Sequence, residues 1–222
     1  MSDTVLSARS GLEQLLLPGN YGIRTNKPGV VIALRTDLAL ASVMVRKGKI
    51  EDLRLRVHDG FGLMLPLTAQ RADSGILSFT WAGPGQWLAA TSGKTPVSFE
   101  AELRDLLSGL ASVMNQSDGR CIIRVSGPKA RDVMAKGIPI DLDPRVFGPG
   151  DTALTLAGHI NVHLWQVDAA PTYEFAVFRS FAASFSEWFL AASAAFGLSV
   201  VVADNAPRPS APAPRPNGAS GR

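Results

Sequence analysis

Residues 152–178 read TALTLAGHINVHLWQVDAAPTYEFAVF, and this stretch decides the fold class. Its first part, Thr152–Val167, is rich in β-forming residues, and apolar side chains alternate with polar ones over residues 159–164. A period of two is typical of a strand. A second strand is predicted at Thr172–Phe178. Strands that follow one another without a helix after each of them favour an antiparallel sheet.

Shorter β-rich runs lie on both sides of this stretch. Gly83, Pro84 and Gly85 form a predicted turn, so we expect the runs that flank it to pair as a hairpin. The predicted strands are Leu40–Val45, Ile50–Val57, Gly75–Trp81, Gln86–Thr91, Arg120–Val125 and Leu198–Val202.

Helices are predicted between these strands. The clearest is capped by Ser98 and follows the i, i+3, i+4, i+7, i+11 pattern of Leu103, Leu106, Leu107, Leu110 and Met114. A short helix opens at Gly127 and Pro128, and a terminal helix begins near Ser180. Because the order of strands and helices lacks strict βαβ alternation, we predict an α+β fold with mainly antiparallel sheets and packed helices.

The composition of the chain changes after Asp204. Residues 1–204 are predicted to form a globular region, which is long enough for one large domain or for two subdomains with a break near 115–120. Residues 205–222 are rich in Pro, Ala, Ser, Gly and Arg, which predicts a disordered, solubilising tail.

The charge balance argues against a nucleic-acid-binding protein. The chain has 22 Lys and Arg against 19 Asp and Glu, but the segment 205–222 holds three Arg and no acid. The remaining residues are therefore neutral overall, whereas nucleic-acid binders cluster a surplus of cations on one face. We expect no nucleic-acid partner.

One segment could be mistaken for a membrane span. Phe181–Ala203 contains a single charge, Glu187, but its aromatic side chains recur on one helical stripe and Gly197 interrupts it. We therefore expect a buried helix followed by a strand. The single cysteine, Cys121, and an acidic residue in place of a basic start at Met1–Arg9 favour a cytoplasmic protein without a secretory signal.

The sequence offers little catalytic chemistry. His159 and His163 lie four residues apart on a predicted strand, roughly 13 Å from each other, which is too far to share a metal ion. We expect them to face a subunit interface or solvent, and we expect Cys121 to lie in the core. No nucleophile motif or phosphate-binding loop is present. We predict no catalytic, cofactor-binding or metal-binding residue in this chain.

Three segments resemble one known family. They read RVSGPKARDVMAKG at 124–137, IDLDPRVFGPG at 140–150 and FRSFAASFSEWF at 178–189. Together and in this order they resemble the gamma subunit of heterotetrameric sarcosine oxidase, over roughly residues 75 to 200. The gamma subunit resembles in turn one part of the folate-binding fold of the glycine cleavage T-protein.

The resemblance implies a set of partners and a reaction. Family members assemble with alpha, beta and delta subunits into a complex that oxidatively demethylates sarcosine to glycine. The products include hydrogen peroxide and 5,10-methylenetetrahydrofolate. The resemblance places FAD, FMN, NAD and tetrahydrofolate in the large subunits and zinc in the smallest, and it assigns no cofactor to this chain.

The sequence therefore favours a protein that acts through its surface. The candidate partner contacts are Arg179, His159, His163, Trp165 and Trp188. Trp and Arg dominate interface energetics, and a cation at a helix start needs a nearby anion. Two alternatives stay open: the terminal-helix aromatics form the core of this chain, or the chain is a stand-alone folate-binding or aminomethyltransferase-like protein.

Overall fold

The computed structural model describes residue 12 and residues 15–201. The twelve strands of this part are β1 (Gly19–Tyr21), β2 (Val30–Leu34), β3 (Leu38–Val45), β4 (Arg71–Asp73), β5 (Leu77–Gly83), β6 (Gln86–Ser92), β7 (Ala111–Asn115), β8 (Arg120–Ser126), β9 (Thr152–Ala157), β10 (Ile160–Asp168), β11 (Thr172–Phe178) and β12 (Leu198–Val201). The α-helices are α1 (Ile50–Phe61), α2 (Pro96–Leu106), α3 (Ala130–Met134) and α4 (Ala182–Ser193), with a 3-10 helix at Arg179–Phe181. The predicted tail at 205–222 lies outside the described residues.

The strands form two sheets. The larger has seven strands in the order β1-β12-β2-β8-β11-β10-β9, and the smaller has five in the order β4-β5-β6-β3-β7. Every pair is antiparallel except β12 with β2. The predicted α+β fold with mainly antiparallel sheets is therefore confirmed, and so is the β5–β6 hairpin.

The chain crosses between the sheets twice, at residues 35–37 and 116–119. Everything between these crossings builds the five-stranded sheet and its helices. The predicted subdomain break near 115–120 falls on the second crossing and stays a prediction.

The elements stack in four layers. Helices α3 and α4 cover one face of the seven-stranded sheet, where Val133, Phe185 and Phe189 are buried. The opposite face packs against the five-stranded sheet through a small cluster that includes Ile122 and Trp165. Helices α1 and α2 then cover the outer face of the five-stranded sheet. Cys121 is buried, as predicted.

Helix α2 is shorter than predicted. Its N-cap is Thr95 and not the predicted Ser98. The Thr95 hydroxyl accepts a hydrogen bond from the Ser98 N–H at 3.2 Å. The helix ends at Leu106, because Gly109 adopts a left-handed φ of 76° that breaks the helical path. Met114 lies in β7, where pairing with β3 satisfies the backbone. The apolar spacing that predicts one long helix therefore spans α2, the turn after it and β7.

The segment Ile50–Phe61 is a helix, so the predicted strand at 50–57 is wrong. Leu53 and Val57, four residues apart, are buried, whereas Leu55 is 62% exposed. Glu51 and Asp52 occupy the first turn, where acidic side chains favour a helix electrostatically. An apolar pattern over so few residues fits the period of a strand as well as that of a helix. The helix forms because it buries its apolar side chains against α2 and the sheet.

The predicted buried helix followed by a strand near the C-terminus is confirmed. Helix α4 ends at Ser193, and Gly197 takes a φ of 70° immediately before β12. No helix within residues 15–201 combines the length and the apolar composition that crossing a membrane requires.

The helical assignment of residues 50–61 predicts unequal effects of two leucine truncations. Leu53→Ala should lower the free energy of unfolding by about 2–5 kcal/mol because Leu53 is fully buried. Leu55→Ala, the matched control, should change it by less than about 0.5 kcal/mol because Leu55 is exposed. Urea denaturation of the full chain measures both. Equal losses would favour a strand, in which both leucines share one face.

Candidate partner-binding surface

The face of the seven-stranded sheet that lies opposite α3 and α4 carries three rows of side chains. The pairing of β8, β9, β10 and β11 sets these rows across the strands. The inner row is Thr152, Trp165, Glu174 and Arg124; the middle row is Leu154, His163, Ala176 and Ile122; the outer row is Leu156, Asn161, Phe178 and Arg120.

The inner row is built around the carboxylate of Glu174, which is 2% exposed. Its Oε1 accepts hydrogen bonds from Nη1 of Arg35 at 2.7 Å and from Nε and Nη2 of Arg124 at 3.0 and 2.7 Å. Its Oε2 accepts from the indole N–H of Trp165 at 3.0 Å. A buried carboxylate is stable only when its oxygens are satisfied in this way.

The positive charges around Glu174 lower its pKa by more than burial raises it. Burial raises the pKa of this carboxyl, but Arg124, Arg71 and Arg35 together bring the pKa below its ordinary value. Arg71 belongs to β4 of the other sheet, and its guanidinium lies 5.8 Å from the centre of the Trp165 ring. Glu174 therefore joins the two sheets electrostatically.

The middle row is also closed to solvent at its centre. His163 is 1% exposed, and its Nε2 lies 2.8 Å from the Thr152 hydroxyl oxygen. The Thr152 hydroxyl also donates to the Leu164 carbonyl at 2.9 Å. Burial and the charge of Arg120 lower the pKa of His163 to about 4, which keeps the imidazole neutral near pH 7.

These positions correct one expectation from the sequence. The sequence predicts that His163 faces a subunit interface or solvent and that Trp165 contacts a partner, but both are buried inside this chain, at 1% and 2% exposure. Strand alternation placed them on one face, and they pack edge to face at 5.4 Å. What the sequence did not indicate is that the five-stranded sheet covers that face.

The outer row, by contrast, borders an open cavity of about 500 Å³. The five residues Arg120, Leu154, Leu156, Asn161 and Phe178 line its walls, and we call them the ledge. His163 and Ala176 also line this cavity. The exposed fractions are 55% for Leu154, 39% for Leu156 and 41% for Phe178. Large apolar side chains that are contiguous and exposed indicate a binding surface.

Arg120 stands out within the ledge. Its guanidinium lies 4.3 Å from the centre of the Phe178 ring, and its Nε is buried without a hydrogen-bond partner in the described part of the chain. No carboxylate of residues 15–201 lies within ion-pair distance of it. Burial alone accordingly lowers the pKa of Arg120.

Arg179 lies at the same end of the sheet as Arg120. Phe178 pairs with Arg120 in register, and the Arg179 N–H donates to the Gly119 carbonyl at 2.9 Å. The Arg179 side chain is exposed and forms no ion pair with another described residue. The predicted cation at the helix start therefore lies beside the ledge.

The two remaining candidates lie elsewhere. Trp188 is half-buried on the helical side of the sheet, and its ring packs so closely over Gly137 and Gly158 that an added Cβ would lie 2.6 and 3.1 Å from it. His159 is exposed in the turn between β9 and β10, where the sequence predicted continuous strand. The five predicted residues therefore do not form one patch.

The ledge itself has no signal in the sequence. Leu154 and Leu156 are two residues apart in β9 and share one strand face, but no sequence pattern indicates that this part of the face stays uncovered. As for metal binding, residues 15–201 hold no group of three His, Cys, Asp or Glu side chains arranged to bind an ion.

The fold has counterparts among solved structures. Heterotetrameric sarcosine oxidase from Corynebacterium sp. U-96, in complex with pyrrole 2-carboxylate, contains a chain that matches 85% of this chain and 96% of its own length, with a TM-score of 0.73 and 22% identity. The glycine cleavage system aminomethyltransferase T from Bartonella henselae matches 79% of this chain over 48% of its own length, with a TM-score of 0.57 and 15% identity. At these identities the likeness shows the fold.

Sequence comparison adds the family. Residues 50–195 of the 222 match the sarcosine oxidase, gamma subunit family, and the chain belongs to that family. The sarcosine oxidase subunit gamma of Corynebacterium sp. (strain U-96) is 28% identical over 135 residues, which are 61% of this chain and 64% of that relative. The subunit gamma of Arthrobacter sp. is 33% identical over 94 residues, 42% of this chain and 45% of that relative. The matches thus span less than two thirds of these relatives.

The Glu174 cluster predicts a large loss of stability on neutralisation. Glu174→Gln should lower the free energy of unfolding by about 3–5 kcal/mol, because buried Arg124 loses its counter-charge and Arg35 keeps only Asp37. Glu51→Gln, the matched control, removes an exposed pair with Arg54 and should cost less than about 1 kcal/mol. Guanidinium denaturation at pH 7 measures both. Similar losses for the two variants would show that the cluster does not hold the sheets together.

Proposed function

We propose that this chain is a non-catalytic assembly subunit of a heterotetrameric sarcosine oxidase. Membership of the gamma subunit family supports this function. The observation that carries it is the ledge, where exposed apolar side chains surround a cation that forms no ion pair with a described residue. Such a surface gains free energy when another chain covers it.

The buried ionisable groups support a structural role. The oxygens of Glu174 accept hydrogen bonds from Arg35, Arg124 and Trp165, and burial removes this carboxylate from any substrate. His163 is hydrogen-bonded to Thr152 and is neutral at pH 7. A general acid or base must reach the proton that it transfers. Both groups instead stabilise the interface between the sheets.

The complex that we propose contains alpha, beta and delta subunits beside this chain. It oxidatively demethylates sarcosine to glycine, reduces oxygen to hydrogen peroxide and transfers the one-carbon unit to tetrahydrofolate as 5,10-methylenetetrahydrofolate. We assign FAD, FMN, NAD and tetrahydrofolate to the larger subunits and zinc to the smallest. We place the complex in the cytoplasm.

The candidate contacts divide by position in this proposal. Arg179 borders the ledge and is the predicted residue that we expect to touch a partner directly. His163 and Trp165 support the ledge from beneath, because they are buried in the rows next to it. His159 and Trp188 belong to a separate part of the surface, near the β9–β10 turn.

A second candidate function is a stand-alone folate-binding protein of the T-protein type. The observation that favours it is the fold, which this chain shares with an aminomethyltransferase T. The match covers 48% of that chain, however, so this chain corresponds to about half of such a protein. We therefore rank it second.

Purification from the native cell tests the proposal. We expect the full chain, affinity-tagged and isolated without detergent, to bring with it two larger subunits and a yellow flavin absorption. The isolated complex should oxidise sarcosine and release hydrogen peroxide, because the flavins and the substrate site reside in the partners. Subunit composition, visible absorption and peroxide release are the measurements.

The control is the same chain expressed alone, which should be colourless and inactive towards sarcosine. Titration calorimetry with tetrahydrofolate on this sample separates the two candidates. A chain that is recovered alone from its native cell and binds tetrahydrofolate would contradict the assembly function and support the T-protein type.

A further inference from the structure

Arg120 differs from the other arginines at comparable depth. Arg35, Arg71 and Arg124 all have side chains less than a fifth exposed, and each forms an ion pair with Asp37, Asp73 or Glu174. Arg120 has a buried Nε and no ion pair among the described residues. Keeping a guanidinium partly desolvated without a counter-charge costs free energy, which an incoming anion would recover.

The surroundings of Arg120 restrict the kind of anion. The Phe178 ring holds the guanidinium at 4.3 Å, and Leu154 and Leu156 provide apolar surface in the same cavity. A simple inorganic ion would leave these three side chains uncovered. A polypeptide segment with an acidic side chain among apolar ones would pair with Arg120 and also cover the apolar side chains of the ledge.

We propose that the ledge binds a segment of another subunit that presents an Asp or Glu carboxylate to Arg120 between apolar side chains. The carboxylate accepts hydrogen bonds from the guanidinium, and the apolar neighbours cover Leu154, Leu156 and Phe178. Arg179, at the same end of the sheet, adds a second positive charge. This inference rests on the proposed function and specifies the contact that assembly uses.

Charge complementarity selects this occupant over two others. A second copy of this chain would place the same arginines, Arg120 and Arg179, on both sides of the contact, and like charges repel. The segment 205–222 of this chain carries three Arg and no acidic side chain, so it too matches the ledge poorly. An acidic segment of a different chain supplies the negative charge and does not set arginine against arginine.

Photo-crosslinking in the assembled complex tests the proposal. Benzoylphenylalanine is placed at position 156 of the full chain, the complex is purified from the native cell and irradiated, and the adduct is mapped by mass spectrometry. We expect an adduct with a peptide of another subunit that contains Asp or Glu. An adduct with a second copy of this chain, a peptide without an acid, or no adduct in an assembled complex would overturn the proposal.

Substitution of Arg120 supplies a readout that a merely structural role would not give. Arg120→Met replaces the guanidinium beside Phe178 with an apolar side chain and removes the partly buried charge that has no ion pair, so the free chain should unfold at the same or a higher temperature. Association with the other subunits should weaken about tenfold or more, because the partner carboxylate loses its counter-charge. Reduced stability together with unchanged association would overturn the proposal.

Charge exchange completes the test. Arg120→Glu should prevent assembly, and replacing the crosslinked acid of the partner with Arg should restore it. Arg145→Glu, on an exposed arginine whose ion pair within residues 15–201 is with Asp143, is the matched control and should assemble normally. No restoration by the exchange would contradict the pairing. Failure of the unmodified chain to recover any larger subunit would instead contradict the proposed function.

Discussion

The carboxylate of Glu174 is the point on which the arrangement of the two sheets depends. It binds Arg124 and Trp165 within the seven-stranded sheet and Arg35 at the first crossing between the sheets. The positive charge of Arg71, from the five-stranded sheet, also stabilises the ionised carboxylate. Because breaking a buried charge pair is costly, this network adds to the apolar cluster around Ile122 and Trp165 in holding the smaller sheet over the inner row of the larger one.

This constraint also explains why a ledge exists. The five-stranded sheet covers the inner row and buries His163 and Trp165, but it stops before the outer row, where Leu156 and Phe178 stay accessible. Arg120, the first residue of β8, faces Phe178 of β11, whereas Arg124 on the same strand faces Glu174 of β11 and pairs with its carboxylate. A partner chain would supply a carboxylate to Arg120 and cover the exposed apolar side chains of the ledge.

The sequence predicted the elements better than their boundaries. Strand β8 and the helix–strand order after Phe178 followed from local signals, because alternation and a breaking glycine act within a few residues. Residues 50–57 were misassigned since a short apolar pattern fits both periods, and only packing distinguishes them. The apolar spacing that continues from Leu106 of α2 through Leu110 to Met114 of β7 gave no sign of where the helix ends.

The candidate site was harder to predict because its properties are not local. Arg179 could be identified from the unfavourable position of a cation at a helix start. Arg120 could not, since its lack of a counter-charge depends on strands that are distant in sequence. The same holds for His163, which alternation alone placed at a surface.

Hydrogen exchange of the free chain and of the assembled complex tests the central claim, that this chain acts by binding another subunit at the ledge. We predict slower exchange on assembly in β9 and around Phe178 and Arg179, with unchanged exchange in α1, which packs on the outer face of the five-stranded sheet and contributes no residue to the ledge. Slower exchange confined to α1 and α2, with none at the ledge, would contradict it.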